Sequence, residues 1–180
     1  MPITLTPDQL YKFVGRTDTF NIQTQSSGFI RMNRTLTLYD LVQHMNGVYT
    51  CHAFVINSNA KCKFGVIDID YDKTKITTMS LIRLKTLGNV VLELFPEFER
   101  ILEFSGRRGF HIWIFFKREE NPAFVQEFIK SRLKKMGLRF EVFPKQHTLS
   151  QLEKQLGNTI KIPCGIHVHG MKSIIMEWIK

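Results

Sequence analysis

Residues 63–71, KFGVIDIDY, form the longest regular pattern in the centre of the predicted fold. Apolar and β-branched residues run through it, which is typical of a buried strand. Two aspartates, Asp68 and Asp70, interrupt the run. Because side chains on a strand alternate between its faces, both carboxylates project from one face, about 7 Å apart, and Ile67 and Ile69 project from the other. The stretch therefore predicts a sheet strand that carries two acids on one face.

The segments that follow this strand predict an α+β fold with an RRM-like, split β-α-β sheet. A helix is expected over much of 77–94, and 100–117 contain two apolar runs around a glycine-flanked turn, the pattern of a β-hairpin. Asn121 and Pro122 start a further helix, and 138–143 alternate as a strand. The order strand, helix, hairpin, helix, strand is that of a split β-α-β arrangement.

The 180 residues predict a single domain, 1–180, because no linker divides them. Residues 1–60 form an N-terminal α/β part packed against the sheet, and 61–180 carry the sheet itself. A first helix is expected between the Thr6-Pro7 pair and Gly15. A second begins at Thr37, and its expected apolar stripe is Leu38, Leu41, Val42 and Met45.

The positive charge of the chain lies almost entirely in its last part. Lys and Arg number 25 against 16 Asp and Glu, a net charge of +9. Residues 105–180 hold 14 basic and 6 acidic residues, whereas 1–104 hold 11 and 10. Concentrated positive charge favours nucleic acid or nucleotide phosphate as a partner, and simple solubility is the alternative.

Composition excludes several other classes of protein. No apolar run approaches the roughly 18 residues of a membrane span, and the first residues lack a signal-peptide pattern. Cys51, Cys62 and Cys164 are too few and too widely spaced to predict a disulfide framework. No metal-ligand spacing surrounds them, so no structural zinc is predicted. A cytoplasmic, globular protein without a membrane partner is expected.

Three acids could form a metal site. Asp68 and Asp70 repel each other and lose hydration unless a cation lies between them, and two divalent ions about 4 Å apart would satisfy both. Glu141, in LRFEVF, alternates with Phe140 and Val142. If its strand neighbours the first, Glu141 adds a third carboxylate on the same face. The alternatives are acids that reach solvent at a strand end and a solvated glutamate at a sheet edge.

The turn of the predicted hairpin could bind phosphate. Its glycines allow a tight turn with exposed backbone N–H groups, its arginines can bind phosphate oxygens, and a serine and a histidine add donors. These residues are Ser105, Gly106, Arg107, Arg108, Gly109 and His111. A solvated basic hairpin tip and a core histidine are the alternatives. Lys161, His167 and His169 form a further candidate group in 157–173, a segment that does not match a P-loop.

Taken in order, VIDID, EFSGRRGFHIW and FEVFPKQ resemble the three motifs of the archaeo-eukaryotic primase superfamily. HMNGVYTCHAF, KCKFGVIDID and GNTIKIPCGIH narrow the resemblance to the primase-polymerases of CRISPR loci and of TOTE-type conflict systems. It extends from about residue 37 to residue 176. The third motif has Glu141 where many relatives have aspartate. The resemblance implies the catalytic core of a primase-polymerase.

The resemblance also implies roles for individual residues. Asp68, Asp70 and Glu141 would hold two divalent ions, Mg²⁺ or Mn²⁺, and His111 would join them in catalysis. The incoming triphosphate would be bound by Ser105, Gly106, Arg107, Arg108, Gly109, His111, Lys145, Lys161 and His167.

The function predicted from the sequence is template-dependent synthesis or extension of DNA or RNA strands on single-stranded DNA. The expected partners are single-stranded or primer-template DNA, NTP or dNTP, and CRISPR adaptation proteins. The alternatives are a non-catalytic module that binds single-stranded nucleic acid and a metal-dependent nuclease. In a non-catalytic binding module, three acids facing one point would repel a phosphate chain when no metal ion is bound. The SGRRG-x-H hairpin indicates triphosphate binding, which argues against a nuclease.

Overall fold

The computed structural model describes residues 3–26, 28–71, 77–146, 156–168 and 170–180. Of the candidates named from the sequence, His169 lies outside the described residues. The elements are, in chain order, a 3-10 helix (Asp8–Phe13), β1 (Phe20–Gln23), β2 (Phe29–Met32), α1 (Leu38–Met45), β3 (Thr50–Phe54), β4 (Cys62–Asp70), α2 (Thr78–Leu92), β5 (Glu99–Phe104), β6 (Gly109–Glu120), α3 (Pro122–Lys135), β7 (Glu141–Phe143), β8 (Thr159–Lys161) and β9 (Ile174–Ile179).

The strands form two antiparallel sheets. The large sheet has the order β7-β4-β6-β5-β9, and the small sheet has the order β2-β1-β3-β8. In the large sheet, β4-α2-β5 and β6-α3-β7 are the two interleaved halves of a split β-α-β arrangement. The predicted α+β fold class is therefore confirmed. β8 follows β4 to β7 in sequence but pairs with β3 in the small sheet, and β9 then returns to the large sheet.

The helices α2 and α3 pack on one face of the large sheet. Gly65 of β4 lies so close to α3 that an added Cβ would be 2.4 Å from Ile129 and 2.8 Å from Val125. A Cβ at Gly88 of α2 would likewise be 2.8 Å from Leu102 of β5. Because side chains alternate along β4, Asp68 projects from the face opposite to the one on which Gly65 contacts α3. The acids therefore project away from the helices.

The other face of the large sheet is apolar at one end and polar at the other. At the apolar end, Phe13 of the 3-10 helix packs edge-on against Trp113, with ring centroids 5.0 Å apart. Phe64 packs against the same Trp113 ring at 5.2 Å. All three are fully buried, and burial of such large aromatic side chains is a dominant stabilising contribution. The polar end carries the aspartates and opens onto a cavity below the small sheet.

The expected apolar stripe of α1 is wrong in two positions. Leu38 and Val42 are exposed, whereas the polar residues Asp40 and His44 are completely buried. Asp40 accepts hydrogen bonds from Arg34, and His44 donates from Nε2 to the carbonyl of Ile162 at 2.9 Å. Buried polar groups are tolerated when they are hydrogen-bonded, so these contacts override the hydrophobic pattern.

The remaining elements differ from expectation mainly in length. The expected N-terminal helix is a short 3-10 helix, although the Thr6 backbone N–H does bond to the Gln9 side chain at 2.9 Å. The strand expected over 138–143 is confined to Glu141–Phe143. The polar segment 20–34, for which the sequence gives no clear pattern, contains the antiparallel pair β1 and β2.

Candidate active site

Four ionisable side chains lie in one row across the large sheet. The strand register places Glu141 of β7 opposite Asp68 of β4, Asp68 opposite His111 of β6, and His111 opposite Glu103 of β5. Directly paired residues on neighbouring strands project from the same face. The strands of Asp68 and Glu141 are therefore neighbours, which the sequence alone could not decide. Asp70 lies on the same face, two residues beyond Asp68.

The three carboxylates have different surroundings. Asp68 Oδ1 is buried without a hydrogen-bond partner among the described residues, and His111 Nε2 is 3.8 Å from it. Burial raises the pKa of Asp68. Asp70 Oδ2 accepts a hydrogen bond from Arg108 Nε at 2.7 Å and forms an ion pair with Nη2 of the same side chain at 2.5 Å. Glu141 Oε1 pairs with Lys145 Nζ at 2.5 Å. Two of the acids are thus neutralised by cations, and the third has an unpaired buried oxygen.

The turn between β5 and β6 is held in a fixed shape. Ser105 donates from both its backbone N–H and its Oγ to the carbonyl of Gly109, at 2.9 and 3.0 Å. Gly106 has φ +91, in the region that favours glycine, and its carbonyl accepts from the Met171 N–H at 2.6 Å. A Cβ at Gly109 would lie 2.3 Å from the carbonyl oxygen of Ile69. The turn therefore requires its glycines and presents Arg107 and Arg108 beside the aspartates.

Glu103 is the centre of a buried network that the sequence analysis missed. It is fully buried and accepts from His111 Nδ1 at 3.1 Å, Trp113 Nε1 at 2.8 Å and Lys161 Nζ at 3.3 Å. Burial alone would raise the pKa of Glu103, but Lys161 and His111 outweigh it and lower the pKa to about 2. The ionised carboxylate fixes the hydrogen on Nδ1 of His111, so Nε2 is the ring nitrogen that faces Asp68.

The network also sets the charge on its two cationic partners. Burial lowers the pKa of Lys161, and Glu103 opposes this shift. For His111 the balance is reversed: burial would lower the pKa, but Glu103 and Asp68 together raise it. Lys161 belongs to β8 of the small sheet and Glu103 to the large sheet, so their ion pair joins the two sheets at the site.

One cavity of about 290 Å³ brings most of the sequence candidates together. The candidates that line it are Asp68, Asp70, Ser105, Arg107, Arg108, His111, Lys161 and His167. Glu141 and Lys145 are not part of its lining and lie at the neighbouring strand β7, while Gly106 and Gly109 belong to the turn. The small sheet adds lining residues that the sequence did not single out, among them Phe29, His52 and Thr159.

A signal for Glu103 was present in the sequence. The turn pairs Phe104 with Phe110 and Glu103 with His111, so the hairpin alone predicts that this acid faces the histidine. Phe29 and His52 carry no comparable local signal. They reach the cavity through pairing of β1, β2, β3 and β8, and β8 is more than 100 residues away from β3 in sequence.

The described residues hold no preassembled metal centre: over 3–26, 28–71, 77–146, 156–168 and 170–180, no three His, Cys, Asp or Glu side chains are grouped so that they could hold a metal ion. Nor does any helix in that part of the chain combine the length and the apolar character of a membrane span. All three cysteines are buried and free.

The fold and the site define an α+β protein with acids and a basic turn on one sheet face. A family model described as the archaeo-eukaryotic primase domain of TOTE conflict systems matches residues 14–176. The chain belongs to this family, which confirms the resemblance and supports a primase-like nucleotidyltransferase of a conflict system. No curated protein matches the chain significantly. The match gives no support to CRISPR adaptation proteins as partners.

Proposed function

We propose that the chain is the catalytic core of a primase-polymerase that adds nucleotides to a strand on a single-stranded DNA template. The observation that carries this proposal is the row Glu141, Asp68 and His111, with Asp70 and the turn 105–109 beside it on the same sheet face. Carboxylates and a basic phosphate-binding turn at one cavity are the parts that nucleotidyl transfer requires.

No three acids of the described residues are grouped closely enough to hold a metal ion as they stand, but the chemistry of the donors suits two divalent ions, Mg²⁺ or Mn²⁺. Asp68 Oδ1 is a buried acceptor with no partner in the described part of the chain, and a cation would relieve its desolvation. Asp70 and Glu141 already bind cations, Arg108 and Lys145, through pairs that are partly exposed to solvent. Carboxylate oxygens are the preferred ligands of these ions, so Asp68, Asp70 and Glu141 would hold them. When bound, the ions would lower the pKa of the primer 3′-hydroxyl and neutralise charge on the phosphates.

The remaining residues would bind and orient the triphosphate. Arg107 and Arg108 supply planar guanidinium donors, and Arg108 would be available to phosphate if a metal ion replaced it at Asp70. His111 Nε2, oriented through Glu103, and Lys161 supply further donors from the floor of the cavity. In the reaction the primer 3′-oxygen bonds to the α-phosphorus, the bond to the bridging oxygen breaks, and pyrophosphate leaves. Correct in-line positioning is the main contribution of the protein.

The proposal is tested by nucleotide incorporation on two DNA templates, one primed and one unprimed. Each is incubated with labelled ribo- or deoxyribonucleoside triphosphates and Mn²⁺ or Mg²⁺. Wild type should incorporate label, a chelator should stop it, and Asp70→Asn should lose it. The matched control is Asp18→Asn, because Asp18 also pairs with an arginine, Arg16, but is not among the residues that line the cavity. This variant should behave as wild type.

Each alternative function has its own outcome in this assay. Absence of incorporation by wild type on both templates would overturn the polymerase proposal. Incorporation by Asp70→Asn at the wild-type rate would overturn the carboxylate assignment. Shortening of the template would indicate a metal-dependent nuclease, and retarded migration of DNA without any change in length would indicate a non-catalytic binding module.

A further inference from the structure

The walls of the cavity differ in chemical character. The large sheet and the turn contribute charged groups, including Asp68, Asp70 and Arg107. The small sheet contributes Phe29, Thr159 and Ile160, together with Lys161, whose charge is paired with Glu103 of the large sheet. One apolar residue, Phe143, comes from the large sheet. A nucleoside triphosphate is divided in the same way, into a charged phosphate chain and a nearly apolar aromatic base. A nucleoside triphosphate in this cavity would therefore lie with its phosphates at the turn and its base at the small sheet.

Phe29 is an exposed aromatic residue at a cavity whose lining is mostly charged or polar. It lies on the edge strand β2, and 60% of its surface is accessible. Its ring contacts the ring of His52 edge-on, with centroids 4.7 Å apart and an interplanar angle of 77°. A T-shaped contact covers at most one face of the Phe29 ring, and the 60% exposure leaves the rest of the ring accessible for stacking. Stacking on aromatic side chains is the usual way in which proteins bind a nucleobase without reading its identity.

His52 provides an independent sign that a polar ligand belongs here. The side chain is buried and lines the same cavity, and its Nε2 has no hydrogen-bond partner among the described residues. Buried polar atoms are normally paired, so an unpaired one at a cavity wall indicates a missing partner. Burial lowers the pKa of His52 well below its ordinary value, so the ring is neutral and has both a donor and an acceptor. A sugar hydroxyl, which can donate and accept, suits it better than a phosphate.

We propose that the small sheet forms the nucleoside subsite of this cavity, in which Phe29 stacks on the base of the incoming triphosphate and His52 bonds to its sugar. This rests on the proposed function, because it takes the turn 105–109 as the phosphate subsite. The cavity volume of about 290 Å³ is near the lower end of small-ligand pockets, which begin at about 300 Å³, and so suits one nucleotide rather than a duplex.

The test compares two ligands that share the phosphate chain: ATP and inorganic tripolyphosphate, each titrated into the protein with Mg²⁺ by calorimetry. Phe29→Ala should weaken ATP binding about 10-fold, the typical effect of losing one base-stacking contact, and leave tripolyphosphate binding within about 2-fold. Phe29→Tyr, which keeps the ring, should bind both ligands as wild type does. Tyr39→Ala is the matched control, because Tyr39 is 68% exposed on α1 and is not among the cavity residues.

The sugar contact is tested by replacing ATP with 2′,3′-dideoxyATP. Wild type should prefer ATP, and His52→Ala should lose that preference, because the lost hydrogen bond involves only the hydroxyl groups. Equal affinity of wild type for the two nucleotides would overturn the role of His52.

The results separate this inference from the proposed function. If wild type binds both phosphate ligands and Phe29→Ala binds ATP as tightly as wild type, the nucleoside subsite is wrong and the phosphate site stands. Equal weakening of ATP and tripolyphosphate by Phe29→Ala would also overturn the subsite, because the ring would then act on the phosphate site. If wild type binds neither ligand, the phosphate site fails, and the subsite fails with it.

Discussion

Two sets of ion pairs lie on this face of the large sheet, and they differ in their contact with solvent. Around Glu103 the partners are almost completely enclosed: the side chains of Glu103, His111 and Lys161 are 0%, 7% and 5% exposed. The pairs of Asp70 and Glu141 are open. Asp70 and Arg108 are 34% and 27% exposed, and Glu141 and Lys145 are 49% and 36% exposed.

The difference in exposure implies a difference in use. A buried ion cannot leave its partner without a large desolvation cost, so the Glu103 network keeps its geometry. Exposed pairs contribute little to stability and can exchange partners with ions from solution. In the proposed function, Asp70 and Glu141 would exchange their protein cations for metal ions, and Arg108 and Lys145 would then be available to phosphate. The buried set would position the site, and the exposed set would be exchanged when ligands bind.

The largest expected effect concerns Asp68, whose Oδ1 lies 3.8 Å from His111 Nε2 and has no hydrogen-bond partner among the described residues. Asp68→Asn should reduce nucleotide incorporation by at least about 10³-fold, because a carboxylate proposed to hold the metal is lost. Its thermal stability should be equal to or higher than that of wild type, because burial disfavours the charge that the substitution removes. Incorporation assays and thermal unfolding check the two parts. A variant that is less active only because it is unfolded would contradict this assignment.

The second prediction tests the buried set through folding. Glu103→Gln leaves the buried Lys161 and His111 without their anion, and loss of one partner of a buried pair costs about 3–5 kcal/mol. Glu99→Gln on the same strand is the matched control, since Glu99 pairs with Lys12 but is 29% exposed, and an exposed pair contributes about 0–1 kcal/mol. Urea unfolding of both variants measures the difference. Equal losses of unfolding free energy in the two variants would contradict a larger contribution of Glu103 to stability.

The buried network also predicts a pH dependence. The pKa of Glu103 is lowered from 4.5 to about 2, so its ionisation stabilises the folded state above pH 4.5. This contribution is lost as the pH falls from 4.5 towards 2. The gap in unfolding free energy between wild type and Glu103→Gln should therefore narrow over that range. Denaturant unfolding at pH values from 6 down to 3 checks it, and a gap that stays constant would contradict the ionised state of Glu103.

The smallest effect is expected in the exposed set. Arg108→Ala should change the free energy of unfolding by no more than about 1 kcal/mol, because its pair with Asp70 is exposed. It should nevertheless weaken tripolyphosphate binding about 10-fold, through loss of charged hydrogen bonds. Mn²⁺ binding without phosphate, followed by electron paramagnetic resonance, should become tighter, because Asp70 no longer has a competing cation. Weaker Mn²⁺ binding by this variant would contradict the exchange of partners.

Most of the large sheet could be predicted from the sequence because its signals are local. Alternation along 63–71 gives the shared face of Asp68 and Asp70, and the glycine-flanked turn gives the hairpin and its register. The small sheet could not be predicted in this way. Its β1 and β2 are only four residues long each, and β8 joins β3 from a distant part of the chain. Phe29 and His52 therefore reach the cavity through long-range strand pairing, which the local hydrophobic pattern of the sequence does not indicate.

The buried face of α1 shows the same limit. Asp40 is enclosed because Arg34 and Tyr49 both donate to it, and His44 because Ile162 accepts from it. These contacts join residues that are distant in sequence or separated by a turn. A hydrophobic pattern alone assigns such residues to the solvent side, since it carries no information on polar partners.

If one face of the large sheet transfers nucleotides to a growing strand, pyrophosphate must be released as the strand grows. The decisive experiment counts the pyrophosphate released for each labelled nucleotide that the wild-type protein incorporates on template DNA with Mn²⁺. We expect one pyrophosphate per added nucleotide, with both products absent when the metal is chelated. Pyrophosphate or phosphate released without strand growth, or strand growth that continues without a divalent ion, would contradict it.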